Sequence, residues 1–252
     1  THKNDILIKN IFGLIEDIKI SDGDIKLNLE KGIKLSSNFN SKIDLDQQAK
    51  EKYIKFFKKN DVVKSLKSLK ADLNSNFSIE FDDTYKVKDY NYTITGKLEK
   101  SKFELLSPIK NNFIAEEITD IYFSDLKIKT IFKPKTMKIS SEGKYSFDNS
   151  NFLNINLENN TDSNILNLKL NFDFKKKIEL DLINYKKPEG SVANIFLILE
   201  KKKNVININN LIFKEGNNLF EVRGLSFNNN KLSSFKKIEV RTSNNNFKIE
   251  KG

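Results

Sequence analysis

From Phe152 to Lys187 the chain reads FLNINLENNTDSNILNLKLNFDFKKKIELDLINYKK, and apolar and polar residues take turns along it. Leu153, Ile155 and Leu157 alternate with Asn154, Asn156 and Glu158. Leu166, Leu168, Leu170, Phe172 and Phe174 alternate with Asn167, Lys169, Asn171 and Asp173. Ile178, Leu180 and Leu182 alternate with Glu179 and Asp181. A period of two puts every apolar side chain on one face of a sheet and every polar one on the other. The stretch therefore predicts three successive strands with one oily face and one wet face.

Most of the remaining chain repeats the pattern. Residues 14–40 read as three short strands, with Ser21-Asp22-Gly23 and Lys31-Gly32 as tight turns. After Leu73 the alternation continues through Phe77, Ile79 and Phe81, then Tyr90, Tyr92 and Ile94 up to Gly96. Phe103 and Leu105 form a short strand ending at Pro108, which cannot donate to a central ladder. The sequence Ile114-Ala115-Glu116-Glu117-Ile118 suggests a helical turn, and Ser124-Asp125 and Glu142-Gly143 read as turns between short strands. In Ala193–Leu199 apolar residues occupy both parities, the mark of a strand covered on both faces. Later strands run from Val205 to Phe213 and from Leu219 to Phe227. One region breaks the rule. Over 43–70, apolar residues at Ala49, Tyr53, Phe56, Phe57, Val62, Val63, Leu66 and Leu69 are mostly three and four apart, which predicts an amphipathic helical insertion. Its polar face carries many lysines, so the basic helix over 46–70 is a candidate contact with an anionic membrane surface as well as a cover for the sheet. Strands in this number predict a mainly β fold. The expected form is one long, strongly twisted antiparallel meander, curled into a groove or open barrel and spanning 1–252 as one segment.

Composition narrows the function classes. The net charge is +10, yet the 44 basic residues are nearly all Lys, with Arg only at Arg223 and Arg241, and they are spread along the chain. That distribution argues against nucleic acid as a partner, since base-reading and phosphate-clamping surfaces favour Arg. His2 is the sole histidine and there is no cysteine, which leaves no metal site or Ser-His or Cys-His catalysis to propose. No phosphate-binding or nucleophile-elbow glycine motif occurs. The acidic pairs Asp82-Asp83 and Glu116-Glu117 lie beside turns, where acids are ordinarily solvated. The reading is a non-enzyme without cofactors. No apolar run approaches the roughly 20 residues needed to cross a bilayer.

The phrases DYNYTITGKLEKSKFEL, GKYSFDNSNFLNINLEN, LNLKLNFDFKKKIELDLINYKK and INNLIFKEGNNLFEVRGLSFNNNKLSSFKKIEVRT share a cadence of amphipathic strand, Gly or Asn turn, and strand again. In this the chain from Leu73 to Gly252 resembles the AsmA-like family of Gram-negative bacteria, in particular its YhdP-type members from AT-rich alphaproteobacteria. The resemblance implies a periplasmic segment of a longer protein, anchored in the inner membrane by a part outside this chain. It implies a groove with an apolar concave face and a polar convex face, and a cargo of phospholipid acyl chains passing between inner and outer membranes. Flanking segments of the same chain would extend the conduit.

The side chains expected to line such a groove are Phe77, Ile79, Tyr92, Ile94, Ile155, Leu168, Leu170, Phe172, Leu180, Leu182, Ile195, Leu197, Ile208 and Phe220. They would form a continuous lining rather than a point site. The same pattern also fits a structural or adhesive extracellular β-sandwich or solenoid, whose apolar face is sealed in a closed core.

Overall fold

A computed structural model describes residues 5–15, 17–30, 32–46, 48, 61–111, 113–188 and 190–251. Fifteen strands join in one antiparallel sheet. In chain order they begin with β1 (Asp5–Ile15), β2 (Ile18–Asn28), β3 (Ile33–Leu45), β4 (Leu66–Phe81), β5 (Val87–Asn111), β6 (Ile114–Lys133), β7 (Thr136–Ser146), β8 (Leu153–Asp162) and β9 (Ile165–Phe174). A small two-stranded hairpin follows, β10 (Glu179–Leu180) and β11 (Tyr185–Lys186), joined by a 3-10 turn over Asp181–Ile183. The sheet resumes with β12 (Ala193–Lys202), β13 (Val205–Glu215), β14 (Asn218–Asn228), β15 (Lys231–Ser234), β16 (Lys237–Arg241) and β17 (Asn246–Glu250). Each strand pairs with its sequence neighbours, except that β9 pairs with β12 across the hairpin and β14 pairs with both β15 and β16. The sheet is mainly a meander and does not close into a barrel, since β1 and β17 stand at opposite edges.

Several turns expected from the sequence are bulges inside long strands. Asp22 takes a left-handed φ of 52° within β2, where the pairing with β3 shifts between Ser21 and Asp24. Asp125 does the same within β6 at φ 53°, with a shift between Ser124 and Lys127. Opposite that bulge, a Cβ on Gly143 would lie 2.6 Å from the Leu126 Cα, so Gly143 marks a close strand approach rather than a turn. Gly96, with φ 151°, likewise sits in mid-strand, where a Cβ would be 2.1 Å from the Asp72 carbonyl oxygen. The helical turn expected over 114–118 is the start of β6. Pro108 does not stop β5, because its ladder with β6 is already irregular between Glu104 and Ile109.

Nearly half of the helical insertion expected over 43–70, residues 47 and 49–60, lies outside the described residues, and much of the membrane contact expected over 46–70 lies there with it. Of the described parts, Ile43–Leu45 ends β3, Asp61–Ser65 forms the short helix α1, and Leu66–Lys70 opens β4. Leu66 and Leu69 look helical by spacing, but Leu69 pairs with both Leu45 and Ser101, and Leu66 with Phe103. Two-sided ladder pairing overrides the local helical signal. The third expected strand of the 152–187 stretch is also corrected. Leu180 lies in the two-residue β10 and Leu182 in the 3-10 turn, at 98% exposure.

The sheet coils. From β6 to β16 there are seven ladder steps in the strand order, or about 34 Å if the sheet were flat. The hairpin spans that gap. Ile178 bridges to Ile114 at the start of β6, and the Ile183 carbonyl accepts a bond from Asn245 Nδ2, after β16, at 2.6 Å. Ile178 to Ile183 reaches roughly 17 Å at full extension, so the sheet must bend to bring these ends together. It bends toward the face the hairpin covers. The whole chain exposes 16657 Å², against roughly 11,500 Å² expected for a compact protein of the same 29.2 kDa mass. The sheet thus leaves far more surface open than a closed globule would.

Candidate functional site: an apolar sheet face under a hairpin flap

Residues directly opposite in an antiparallel ladder share a face. Following the register across the sheet therefore traces rows of side chains running perpendicular to the strands. One row is Leu157–Leu170–Leu197–Leu211–Val222–Ile238–Ile249. Beside it runs Ile155–Phe172–Ile195–Phe213–Phe220–Val240–Phe247. On the other side run Ile94–Thr130–Ile139–Asn159–Leu168–Leu199–Ile208–Leu225 and Phe77–Tyr92–Phe132–Met137. The bulge between Ile198 and Leu199 in the β12–β13 pairing keeps Ile208 on this face by leaving Asn209 as the extra, exposed residue.

These rows place Phe77, Tyr92, Ile94, Ile155, Leu168, Leu170, Phe172, Ile195, Leu197, Ile208 and Phe220 together on one face, and Ile79, two residues after Phe77 in β4, shares it; all are half-buried. Leu180 and Leu182 do not join them, because they leave the sheet in the hairpin. Val240 and Tyr145 belong to the same face and were not singled out from the sequence. Val240 sits in a short strand, and Tyr145 follows the Glu142-Gly143 pair that imitates a turn.

The two ends of the face differ. At the end where β9 gives way to β12, side chains are buried: Ile118, Tyr145, Phe174, Tyr185, Ala193 and Val240 are each 6% exposed or less. Aromatic edges meet there. Tyr145 lies 5.1 Å from Phe147 and 6.0 Å from Phe172, while Tyr185 of the flap lies 4.7 Å from Phe220 and 6.0 Å from Phe213. Such pairs add about 0.5–1.5 kcal/mol each beyond area burial.

The flap (β10, the 3-10 turn and β11) is tied down by polar groups. Tyr185 Oη donates to Glu215 Oε2 at 3.2 Å; beneath the flap, Tyr145 Oη in β7 donates to the Asp173 carbonyl in β9 at 2.5 Å. Burial, and secondarily the nearby carboxylates, raise both phenols above their ordinary pKa, so both stay protonated as donors. Lys187 is 1% exposed, and its Nζ donates to the carbonyls of Lys175 at 2.9 Å and Pro188 at 3.4 Å. Burial lowers its pKa. Glu116 and Lys176 form an ion pair from β6 to the flap base. At the opposite end of the strands the same face carries Phe132, Met137, Leu166, Ile206 and Phe227, half-buried beside plain turns.

No family model, curated protein or solved structure matches the chain. The site is thus read from its own chemistry. Its apolar rows are interrupted by few polar side chains, among them Thr130, Ser141 and Asn159. It can hold a long hydrocarbon along the sheet by contact alone, without fixing any atom.

The other face is polar but not smoothly convex. Two shallow troughs of about 500 Å³ each cross β6 to β12, one flanked by Lys129, Lys138, Glu158 and Lys169, the other by Lys127, Glu142, Asn156 and Asn171. A strongly twisted sheet is saddle-shaped, so concave strips arise on both faces. Many polar groups there pair with each other, as Lys169 does with Glu158 at 3.3 Å and Asn154 with Asp173 at 2.8 Å. Farther along this face Phe196 and Ile198 are half-buried, which accounts for the two-sided apolar reading of β12, while the described helix packs on β4 and β5. Glu221, 6% exposed, is paired with Lys237 at 2.7 Å and Arg223 at 2.5 Å; the Lys237 hydrogen bond is the main cause of its lowered pKa. Asp82 lies at a turn as expected, but it caps that turn rather than being merely solvated, accepting from the Thr84 and Lys86 amides. Among the described residues no helix is long and apolar enough to cross a membrane.

Proposed function

We propose that the chain is a non-enzymatic lipid-transfer segment that carries phospholipid acyl chains along the apolar face, between inner and outer membranes in the periplasm. The observation that carries this reading is the overlap of largely half-buried apolar rows, which together reach from β4 to β17. A closed core would bury such residues, and an isolated binding pocket would not repeat the same surface over so many strands. Each methylene laid on the face gains about 0.8 kcal/mol at most, so binding scales with chain length and not with head-group identity. Cargo and compartment come from the likeness to the AsmA-like family. The flap roofs one side of the face, the head groups stay at the wetter side, and the lysine-rich stretch over 46–70 is the proposed contact with an anionic membrane surface.

The test is native mass spectrometry with lipid extraction of the purified chain, beside a vesicle-to-vesicle phospholipid transfer assay. Co-purified phospholipid is expected. Leu170→Asp combined with Ile195→Asp should lower it roughly tenfold, because charges would interrupt two adjacent rows. Leu182→Asp, outside the sheet, should leave it unchanged. A wild-type chain that brings no phospholipid and transfers none would sink the proposal in favour of a structural β-domain.

A further inference from the structure

The plain-turn end of the sheet carries a strip of positive charge. Four turns lie there side by side, joining β6 to β7, β8 to β9, β12 to β13 and β14 to β15. The last row of the apolar face before them includes Met137–Thr161–Leu166–Lys201–Ile206–Phe227. Lys201 therefore stands on the apolar face itself, opposite both Leu166 and Ile206, and it is exposed. Its stem can lie along these neighbours while its ammonium stays in water. Lys135 and Lys203 occupy turn tips, and Lys133, Lys202 and Lys231 stand in the adjoining row on the polar side, all exposed. Neighbouring turns are two ladder steps apart, so the strip would be roughly 30 Å long on a flat sheet.

None of these six lysines forms an ion pair among the described residues. The one carboxylate on the four turns, Asp162, accepts from the Ser163 hydroxyl at 3.0 Å. The flap end treats its lysines differently. Lys176 pairs with Glu116, Lys177 and Lys186 pair with Glu179 at 2.6 and 3.7 Å, and Lys187 is buried against two carbonyls. The turns are also braced to one another beyond the ladders: the Ser163 amide donates to the Lys135 carbonyl at 2.7 Å, and the Asn229 amide to the Asn204 carbonyl at 3.1 Å. Lys203 takes a left-handed φ of 52°, a conformation that Gly or Asn adopts more readily. Turn geometry does not call for a lysine there.

We propose that this rim, centred on Lys201, seats the phosphate of the cargo's head group and makes the segment prefer anionic over zwitterionic phospholipids. The inference rests on the lipid-transfer reading and adds a head-group preference to it. A lipid whose head stays at this wetter side lays its chains inward over Leu199 and Leu197, the next residues of the same parity in β12. The first charged group beyond the chains then meets Lys201, with Lys135 and Lys203 on the turn tips to either side. The apolar rows are indifferent to what the chains carry, and the rim is not.

Vesicles of equal parts phosphatidylglycerol and phosphatidylcholine with identical acyl chains provide the test. The full chain is mixed with them and separated, and the lipids it retains are counted by native mass spectrometry. Both lipids share one membrane, so attraction of the chain to the vesicle surface leaves their ratio unchanged. The anionic lipid should be retained about fivefold over the zwitterionic one, and added salt should shrink that ratio. Lys201→Gln with Lys135→Gln and Lys203→Asn should bring the ratio to about one without lowering retention of the zwitterionic lipid, with circular dichroism confirming the sheet. Removing the same charge from the polar face, by Lys127→Gln with Lys129→Gln and Lys138→Gln, should leave the ratio as it was. Inorganic phosphate alone should not be retained. A wild-type ratio near unity, a ratio that the rim variant does not move, an equal fall in the polar-face variant, or phosphate held without lipid overturns the rim and leaves the lipid-transfer reading standing. A chain that retains neither lipid overturns both.

Discussion

The flap end of the apolar face and the plain-turn end are made of the same kind of residue, yet they are packed differently. Tyr145, Phe174 and Ala193 are buried under or beside the hairpin, with Ala193 fully so. Leu168, Ile139 and Met137, on the same face, are only half-buried. The difference is a second layer. A sheet alone covers each side chain with its ladder neighbours, and burial becomes complete only where another element crosses over. The flap end therefore carries the stabilising core, and the other end supplies accessible apolar surface. A face that must receive a hydrocarbon needs the second condition, and a large sheet needs the first somewhere to hold its curvature.

This contrast can be broken most sharply by truncation. Tyr145→Ala removes a buried ring, its aromatic contacts and its bond to the Asp173 carbonyl, and should cost about 3–4 kcal/mol in denaturant unfolding. Leu168→Ala at the open end should cost only about 1 kcal/mol, because half of that surface already faces water. Equal losses at the two sites would erase the distinction.

Acid provides a second, smaller test, aimed at the polar face. Glu221 is held below its ordinary pKa first by its hydrogen bond to Lys237, and Asp148 first by the Asn151 amide and then by Ser146. A carboxylate lowered in the folded state binds fewer protons there than in the unfolded chain. Its stabilising contribution is complete above the unfolded pKa, about 4.5 for Glu221, and is lost as pH falls through the folded one. Stability measured by thermal unfolding should fall from about pH 4.5 downward, and Glu221→Gln should flatten part of that slope. An unchanged slope would remove the Glu221–Lys237 pair from the forces joining β14 to β16.

The smallest effect is expected at the flap tip. Leu182→Lys should change stability by less than about 0.5 kcal/mol, since the side chain is almost wholly in water. A larger loss would mean that the tip is covered by something in solution.

The sequence by itself determined the kind of sheet and most of its oily face. Alternation fixes parity within a strand without knowledge of the neighbours, which is why Leu168, Leu170, Phe172, Ile195 and Leu197 could be placed from local pattern alone. It did not determine where strands end. Asp22, Asp125 and Gly143 carry turn chemistry, but whether a left-handed residue ends a strand or kinks it depends on the strand opposite, and that is tertiary information. Nor could it separate Leu182 from Leu170, since both alternate equally well. The fate of Ile178–Leu182 was decided by the bridge from Ile114, by Tyr185 stacking on Phe220, and by the buried Lys187 ammonium bonded to two carbonyls. These contacts join residues far apart in the chain. Only the coiled sheet brings them together, and they turn what reads as one more strand into the flap over the face.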